Sequence, residues 1–155
     1  MADILSARER SRRMALVRQR NTGPELWVRQ VLHRNGFRFR INQTRLPGSP
    51  DIVLQRWRTV VFVHGCFWHM HNCSLFKLPA TRRGWWQQKL EANIRRDKRV
   101  IEELKTMNWR IVVVWQCAIK GRDCLTPERF DQLLSQAIRG KPQLVELKGS
   151  GHSKT

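Results

Sequence analysis

Apolar side chains recur along this chain with two periods, one typical of amphipathic helices and one typical of strands. The first helical segment opens with Thr22 as an N-cap, Pro24 in the first turn and Glu25 at the capping-box position, and Gly36 ends it. These signals predict a helix over Gly23–Arg34, whose apolar positions are Leu26, Val28, Val31 and Leu32.

Strand periodicity follows. Between residues 37 and 41, apolar and polar side chains alternate, which predicts a half-buried strand over Phe37–Ile41. A second strand should run over Asp51–Leu54, directly after the turn-rich residues 46–50. Residues 59–64 are apolar on both faces, as expected for a strand in the middle of a sheet.

The second half of the chain returns to helical spacing. One apolar stripe predicts a helix from about Gly84 to Met107, and Arg110–Trp115 has the composition of another central strand. A last helix should begin at Thr126, with inner positions Phe130, Leu133, Leu134 and Ile138. Together with a helical segment at residues 6–20, this order predicts an α/β fold, a mixed central sheet flanked by helices.

The composition divides the chain into three parts. Arginines crowd residues 1–20, which we expect to form a basic arm or helix that grips DNA, the alternative being a solvated helix end. Residues 21–139 should form a single domain. Residues 140–155, rich in Gly, Pro, Ser and Lys, should form a flexible tail.

Charge narrows the function. Thirty Lys and Arg against twelve Asp and Glu give a net charge of +18, which favours a phosphate backbone as partner. No apolar run approaches the ~20 residues that a membrane helix needs. The arginine-rich start has no apolar signal-peptide core, so we expect a cytoplasmic protein, in which cysteines stay reduced and bind metal more readily than they form disulfides.

Soft metal ligands cluster in one short loop. Cys66, His71 and Cys73 lie within eight residues, and Cys117 ends the predicted strand that could neighbour the strand before Cys66. Three thiolates and an imidazole are the ligands of a closed, structural zinc site. Cys124 competes for the fourth position, and His69 could serve as a ligand instead of a catalytic group.

A carboxylate follows the turn at residues 46–50. Asp51 alone is a common turn residue, but His64 would lie near it if the two strands pair antiparallel. With His69 in the next loop, the sheet edge would hold an oxygen ligand for magnesium and two imidazoles. Metal-assisted phosphodiester hydrolysis requires such a set of groups.

Two other acids have competing interpretations. Asp97 falls on the apolar stripe of its helix, where it could orient His69 or His64, or could pair with an arginine such as Arg95 or Arg96. Glu25 is explained by capping its own helix, although a catalytic role is open.

Phe67 and Trp68 stand between two predicted zinc ligands. Aromatic side chains on a rigid loop beside a basic surface suit insertion between base pairs, and a mismatched step is the cheapest to open. The competing interpretation is that both rings pack against Trp85 or Trp86.

These motifs resemble a known family. The residues Leu46-Pro47-Gly48 with Pro50-Asp51, the run from His64 to Cys73, the segment 78–82, and Trp109-Arg110 to Trp115 with Cys117 are similar to the very short patch repair (Vsr) endonucleases. The resemblance covers about residues 8–138.

The resemblance implies a magnesium-dependent endonuclease with a restriction-endonuclease-like core over residues 21–139. Such an enzyme nicks double-stranded DNA 5′ to the T of a T:G mismatch, the product of 5-methylcytosine deamination. Transferred by position, the implied roles are magnesium binding by Asp51 and by the carbonyl of Val63, catalysis by His64 and His69, zinc binding by Cys66, His71, Cys73 and Cys117, wedging by Phe67, Trp68 and Met14, and a water-mediated metal contact for Glu25.

The resemblance also implies a bacterial, nucleoid-associated monomer, with mismatch-repair proteins of the MutL type as candidate partners. One departure is Val63, since similar family members often carry Thr before the histidine. Another is that the restriction-type second acid followed by Lys is absent from the strand segments after Asp51, residues 52–64, so His64 and His69 must replace what Lys would do. The alternative functions are a zinc-stabilised DNA-binding module without nuclease activity and a non-specific nuclease.

Overall fold

A mixed sheet forms the centre of the protein, as a computed structural model that describes residues 6–9 and 21–150 shows. Within those residues the sheet has four strands in the order β1-β2-β3-β4, with β1 antiparallel to β2 and the other pairs parallel. The strands are β1 (Ile52–Leu54), β2 (Thr59–His64), β3 (Arg110–Trp115) and β4 (Leu144–Leu147). The predicted mixed α/β fold is therefore confirmed.

The register of the sheet explains why the motif residues meet. In the parallel pair of β2 and β3, His64 lies opposite Trp115 at the carboxyl ends of both strands. Cys66 and Cys117 each come two residues later, so both leave the sheet at the same edge. In the antiparallel pair, Ile52 lies opposite Val61, which brings Asp51 to the same end.

Helices cover both faces of the sheet. The helices are α1 (Gly23–Arg34), α2 (Arg83–Thr106) and α3 (Pro127–Arg139). Alternate residues of β3 point to opposite faces, so Val112 and Val114 pack in one core cluster with α1 and α3, and Ile111 and Val113 pack in the other with Leu104 of α2. The two clusters hold the sheet between two helical layers.

Local signals set the bounds of α1 as predicted. Thr22 caps the helix, because its hydroxyl oxygen accepts the Glu25 N–H at 3.3 Å, and Pro24 lies in the first turn. The helix ends at Arg34, before Gly36, whose positive φ of 77° suits a residue without a Cβ. Its inner face buries Val28, Val31 and Leu32.

The predicted strand over Phe37–Ile41 is wrong. Only an isolated bridge between Arg40 and Val53 forms there, and Asn42 adopts a left-handed conformation with φ of 58° that stops further pairing. The alternation instead reflects packing of a loop, since Phe37 is buried against Trp57.

The predicted flexible tail does not describe residues 144–147, which form β4 beside β3. This edge strand is short and largely exposed, and only Leu147 is buried, so it lacks the apolar run that identified the central strands. The predicted arm at residues 1–20, with Met14, lies mostly outside the described residues, as do residues 151–155.

Candidate functional site

Three cysteines and a histidine come together at the carboxyl edge of β2 and β3. One ligand atom from each of Cys66, His71, Cys73 and Cys117 lies within 4.8 Å of all the others. In a tetrahedral zinc site with Zn–S bonds of ~2.3 Å, neighbouring sulfurs are roughly 3.8 Å apart. These four residues, hereafter the Cys3His cluster, therefore fit a structural zinc ion.

The surroundings of the Cys3His cluster suit bound thiolates. The Cys117 N–H donates to Cys66 Sγ at 3.3 Å, and the Gly149 N–H donates to Cys117 Sγ at 3.4 Å. The neighbouring Cys117 thiol and burial raise the pKa of the Cys66 thiol, a shift that a cation among the sulfurs opposes. Cys124, the rival fourth ligand, is exposed and is not part of this cluster.

Asp51 lies at the start of β1, and its Oδ2 accepts the Val63 N–H of β2 at 2.7 Å. Burial raises the pKa of Asp51 to about 6, and the nearby Glu25 carboxylate adds to the rise. A carboxylate that is costly to ionise alone, beside a second acid, fits a site for a hard divalent cation.

His64 and His69 form a stacked pair, hereafter the imidazole pair. Their ring centroids are 3.8 Å apart and their planes differ by 7°. His69 Nδ1 contacts Asp97 Oδ2, so the inward-facing acid of α2 pairs with an imidazole and not with Arg95 or Arg96. This contact leaves the other ring nitrogen of His69 for a substrate.

The pair differs in its electrostatics. Burial, with the neighbouring His69, lowers the pKa of His64 to about 3, so His64 stays neutral. Its buried Nδ1 has no hydrogen-bond partner among the described residues. The donor atoms of His64, His69 and Asp97 also lie within 4.8 Å of one another, which brings the two imidazoles and the acid into one set.

One open cleft of about 1050 Å³ contains the predicted catalytic residues. Its walls include Glu25, Asp51, His64, His69 and Asp97, so the structure brings together the five residues that the sequence singled out. The carboxylates of this cleft are oxygen ligands for a cation. His69, paired with Asp97, can accept a proton, and the neutral His64 can hydrogen-bond a phosphate oxygen.

Sequence reasoning missed the polar and basic residues of the same cleft. Lys89, Asn93 and Arg96 line it from α2, and Lys120 lines it from the loop after β3. A signal existed, because residues 89, 93 and 96 share one helical face with Asp97. The charge of this face suits a phosphate backbone.

Glu25 combines capping with a place in the cleft wall. Its carboxylate is buried and accepts the Asn21 N–H at 3.1 Å and an Arg29 N–H at 3.4 Å. The capping interpretation therefore holds, although the acid reaches the residue before the N-cap, and the same carboxylate faces the region of Asp51.

Phe67 and Trp68 are half-buried in an aromatic group. The two rings meet edge to face at 5.1 Å, and each also contacts Trp86 of α2, with centroid distances of 5.4 and 6.0 Å. The Asn93 amide donates to the Trp68 carbonyl at 3.0 Å, which ties this loop to α2. The interpretation that Phe67 and Trp68 pack against Trp86 is therefore correct, although both residues remain partly exposed.

Across the described residues, no helix has the length and hydropathy to cross a membrane.

The family model "DNA mismatch endonuclease Vsr" matches residues 2–75. The chain is 40% identical over 151 residues to the DNA mismatch endonuclease Vsr of Escherichia coli K12, covering 97% of both chains. It is 49% identical over 125 residues to the type II nicking enzyme V.XorIIP of Xanthomonas oryzae, covering 81% of this chain and 92% of the relative.

Proposed function

Because the chain belongs to the Vsr DNA mismatch endonuclease family, a family of DNA endonucleases, we propose that it nicks double-stranded DNA 5′ to the T of a T:G mismatch. The proposed reaction is magnesium-dependent hydrolysis of one phosphodiester bond. The observation that carries this proposal is the position of Asp51 and the imidazole pair in one cleft, next to an aromatic loop.

In the proposed mechanism, Asp51 and the Val63 carbonyl would hold a magnesium ion, and Glu25 would add negative charge nearby through water. When bound, the ion would supply Lewis-acid polarisation of the scissile phosphate. Val63 serves as well as threonine, because the ligand there is the main chain. Because the reaction needs this polarisation, no nick should form when a chelator removes magnesium.

The imidazole pair performs the proton and phosphate chemistry. His69, with Nδ1 on Asp97, accepts the proton of the attacking water at its other ring nitrogen, and the carboxylate stabilises the resulting imidazolium. His64, neutral because burial lowers its pKa to about 3, hydrogen-bonds the phosphate without competing for that proton. The two stacked rings thereby divide two roles.

The aromatic loop supplies selectivity in this proposal. Phe67 and Trp68 wedge beside the mismatch from the major groove, and Met14 of the N-terminal arm approaches from the other groove. Opening a base step costs a few kcal/mol, and less at a mismatch, so the wedge favours T:G over paired steps. A zinc ion held by the Cys3His cluster would keep the loop rigid.

A nicking assay with one T:G pair in a labelled duplex tests the proposal. We expect magnesium-dependent cleavage of the T strand alone, with a matched duplex and an Asp51→Ala variant as controls. Binding without cleavage, unchanged by Asp51→Ala and by chelation, would instead support a zinc-stabilised DNA-binding module. Equal cleavage of matched and mismatched duplexes, insensitive to Phe67→Ala, would support a non-specific nuclease.

A further inference from the structure

One buried aromatic side chain contacts both the Cys3His cluster and the imidazole pair. Trp115 is the last residue of β3 and lies opposite His64 in the parallel pairing with β2. It is 9% exposed and belongs to the core cluster that also contains Cys66 and Cys117. Trp115 therefore occupies the space between the two sites.

The ring contacts of Trp115 are of two kinds. Its indole stacks on His71 of the Cys3His cluster, with centroids 4.1 Å apart and planes 9° from parallel. The imidazole pair meets the same indole edge to face, with centroid distances of 5.3 Å for His64 and 6.1 Å for His69. These distances are those of aromatic rings in direct contact.

Close packing makes these contacts mutually dependent. A zinc ion bound by His71 fixes the plane of that imidazole, and the stacked indole cannot turn while His71 stays in place. The indole in turn forms the wall against which His64 and His69 rest. A displacement at the Cys3His cluster would therefore be transmitted through the indole to the imidazole pair.

Stability alone does not explain an indole at this position. Trp115 Nε1 is buried and has no hydrogen-bond partner among the described residues. An unpaired buried donor destabilises the folded state, and a leucine or phenylalanine would avoid that cost. An indole is large enough to stack on His71 and also to contact both rings of the imidazole pair, and these smaller side chains lack that reach.

We propose that Trp115 is a positioning residue that couples the geometry of the Cys3His cluster to the imidazole pair. This inference rests on the proposed function, since it assumes that His64 and His69 act on the phosphate. It predicts that the zinc-binding cluster affects the rate of nicking through Trp115, as well as stabilising the fold.

Trp115→Leu and Trp115→Phe are the test variants. Trp109→Leu and Trp109→Phe are matched controls, because Trp109 is a buried tryptophan, 5% exposed, that precedes the same strand and has Arg58 over its ring. For each protein we would measure zinc content, the rate of zinc transfer to a coloured chelator, the Kd for a T:G duplex without added magnesium, and the single-turnover nicking rate.

For Trp115→Leu we expect a nicking rate lower by about 10²-fold, the size of effect that a misplacement near 1 Å can have. The duplex Kd should stay within about twofold, since the side chain is only 9% exposed. Zinc should transfer several-fold faster because His71 loses its stacking partner. Trp115→Phe, which keeps only part of the stack, should give nicking and zinc-transfer rates between those of Trp115→Leu and those of the parent. Both Trp109 variants should nick and release zinc like the parent.

Two results would overturn the inference: a Trp115→Leu enzyme that nicks at the parental rate, or a rate loss that Trp109→Leu shares. If Trp115→Leu fails to fold, Trp115→Phe and Trp109→Phe provide the test instead. The inference is then rejected if both variants nick at the parental rate and Trp115→Phe releases zinc as slowly as the parent. A parent protein that binds zinc but never nicks would refute the proposed function instead, and zinc release from Trp115→Leu would still test the packing against His71.

Discussion

At the residue scale, ionisation of the buried Asp51 carboxyl lowers the free energy of unfolding, and its proposed role as a magnesium ligand explains why an acid stands there. Burial raises its pKa to about 6 from an ordinary 3.8, so above pH 6 the folded protein must ionise a carboxyl that the unfolded chain ionises more easily. Stability attributable to this group is therefore greatest below pH 4 and is lost as the pH rises toward 6. The ionised carboxylate of Asp51 therefore destabilises the folded state above about pH 6.

The variant Asp51→Asn should consequently unfold at a higher temperature than the parent at pH 8 without magnesium, by about 2–5 °C, because it keeps an acceptor for the Val63 N–H and removes the buried charge. The difference should vanish at pH 4. Thermal unfolding at the two pH values measures it, and nicking should be abolished. A lower unfolding temperature at pH 8 would contradict this account.

The contact between Asp97 and His69 leads to a second prediction. Asp97→Asn should reduce the nicking rate on the order of 10²-fold, because the amide cannot stabilise the imidazolium that forms when His69 accepts a proton. Duplex binding should be unchanged. Asp131→Asn is the control, because Asp131 accepts hydrogen bonds from Arg34, the last residue of α1, and from Asn35, and it does not line the cleft. This variant should leave the rate unchanged.

Sequence reasoning identified the acids and imidazoles of the cleft but not their pairing. Asp97 had two plausible partners, an imidazole or an arginine, and only the packing of α2 against the loop after β2 decides between them. Lys89 was overlooked, and Arg96 was considered only as a partner for Asp97, for a related reason. A basic residue on a helix is usually solvated, and its place in a cleft depends on what packs against the helix.

At the element scale, the predictable elements were those whose local signals and tertiary contacts agree. Strands β2 and β3 are apolar on both faces and lie at the sheet centre, and α1 has a cap, a proline and a terminating glycine. Strand β4 lies at an edge, where one neighbour supplies its hydrogen bonds and few apolar residues are needed. Its sequence therefore resembles a tail.

The segment after β4 has a contact that a tail would lack. Gly149 is buried against the Cys3His cluster, and a Cβ there would lie 2.5 Å from the Asp123 carbonyl and 2.6 Å from the Cys117 carbonyl. Gly149→Ala must push this segment away and break its N–H bond to Cys117 Sγ. We expect weaker zinc binding by about 10-fold, in line with lost partners of metal ligands.

Competition with a chelator of known zinc affinity measures this effect. Gly84→Ala is the control, because a Cβ at Gly84 meets nothing within 4 Å and alanine favours the first turn of α2. Equal zinc affinity for Gly149→Ala and Gly84→Ala would show that the segment after β4 does not support the cluster.

At the scale of the whole molecule, the proposed function assigns different parts to the charge of +18, which attracts DNA, and to the cleft with the imidazole pair, which orients it. Most of the positive charge contributes to non-specific affinity through counterion release. Only basic side chains within the cleft would meet the phosphates next to the reacting bond. Two lysines of equal charge should therefore contribute unequally to the affinity for a T:G duplex.

Lys120→Gln and Lys141→Gln separate these contributions. Both side chains are exposed lysines on the same part of the chain, but only Lys120 lines the cleft. The slope of log K against log salt for a T:G duplex should become shallower by about 0.9 for Lys120→Gln, the value for one phosphate contact, and change little for Lys141→Gln. Equal changes for both lysines would mean that the cleft does not orient the duplex and that its charge acts only through the overall field. A change confined to Lys120→Gln would indicate a phosphate contact within the cleft that contains the imidazole pair, where the proposed hydrolysis requires one.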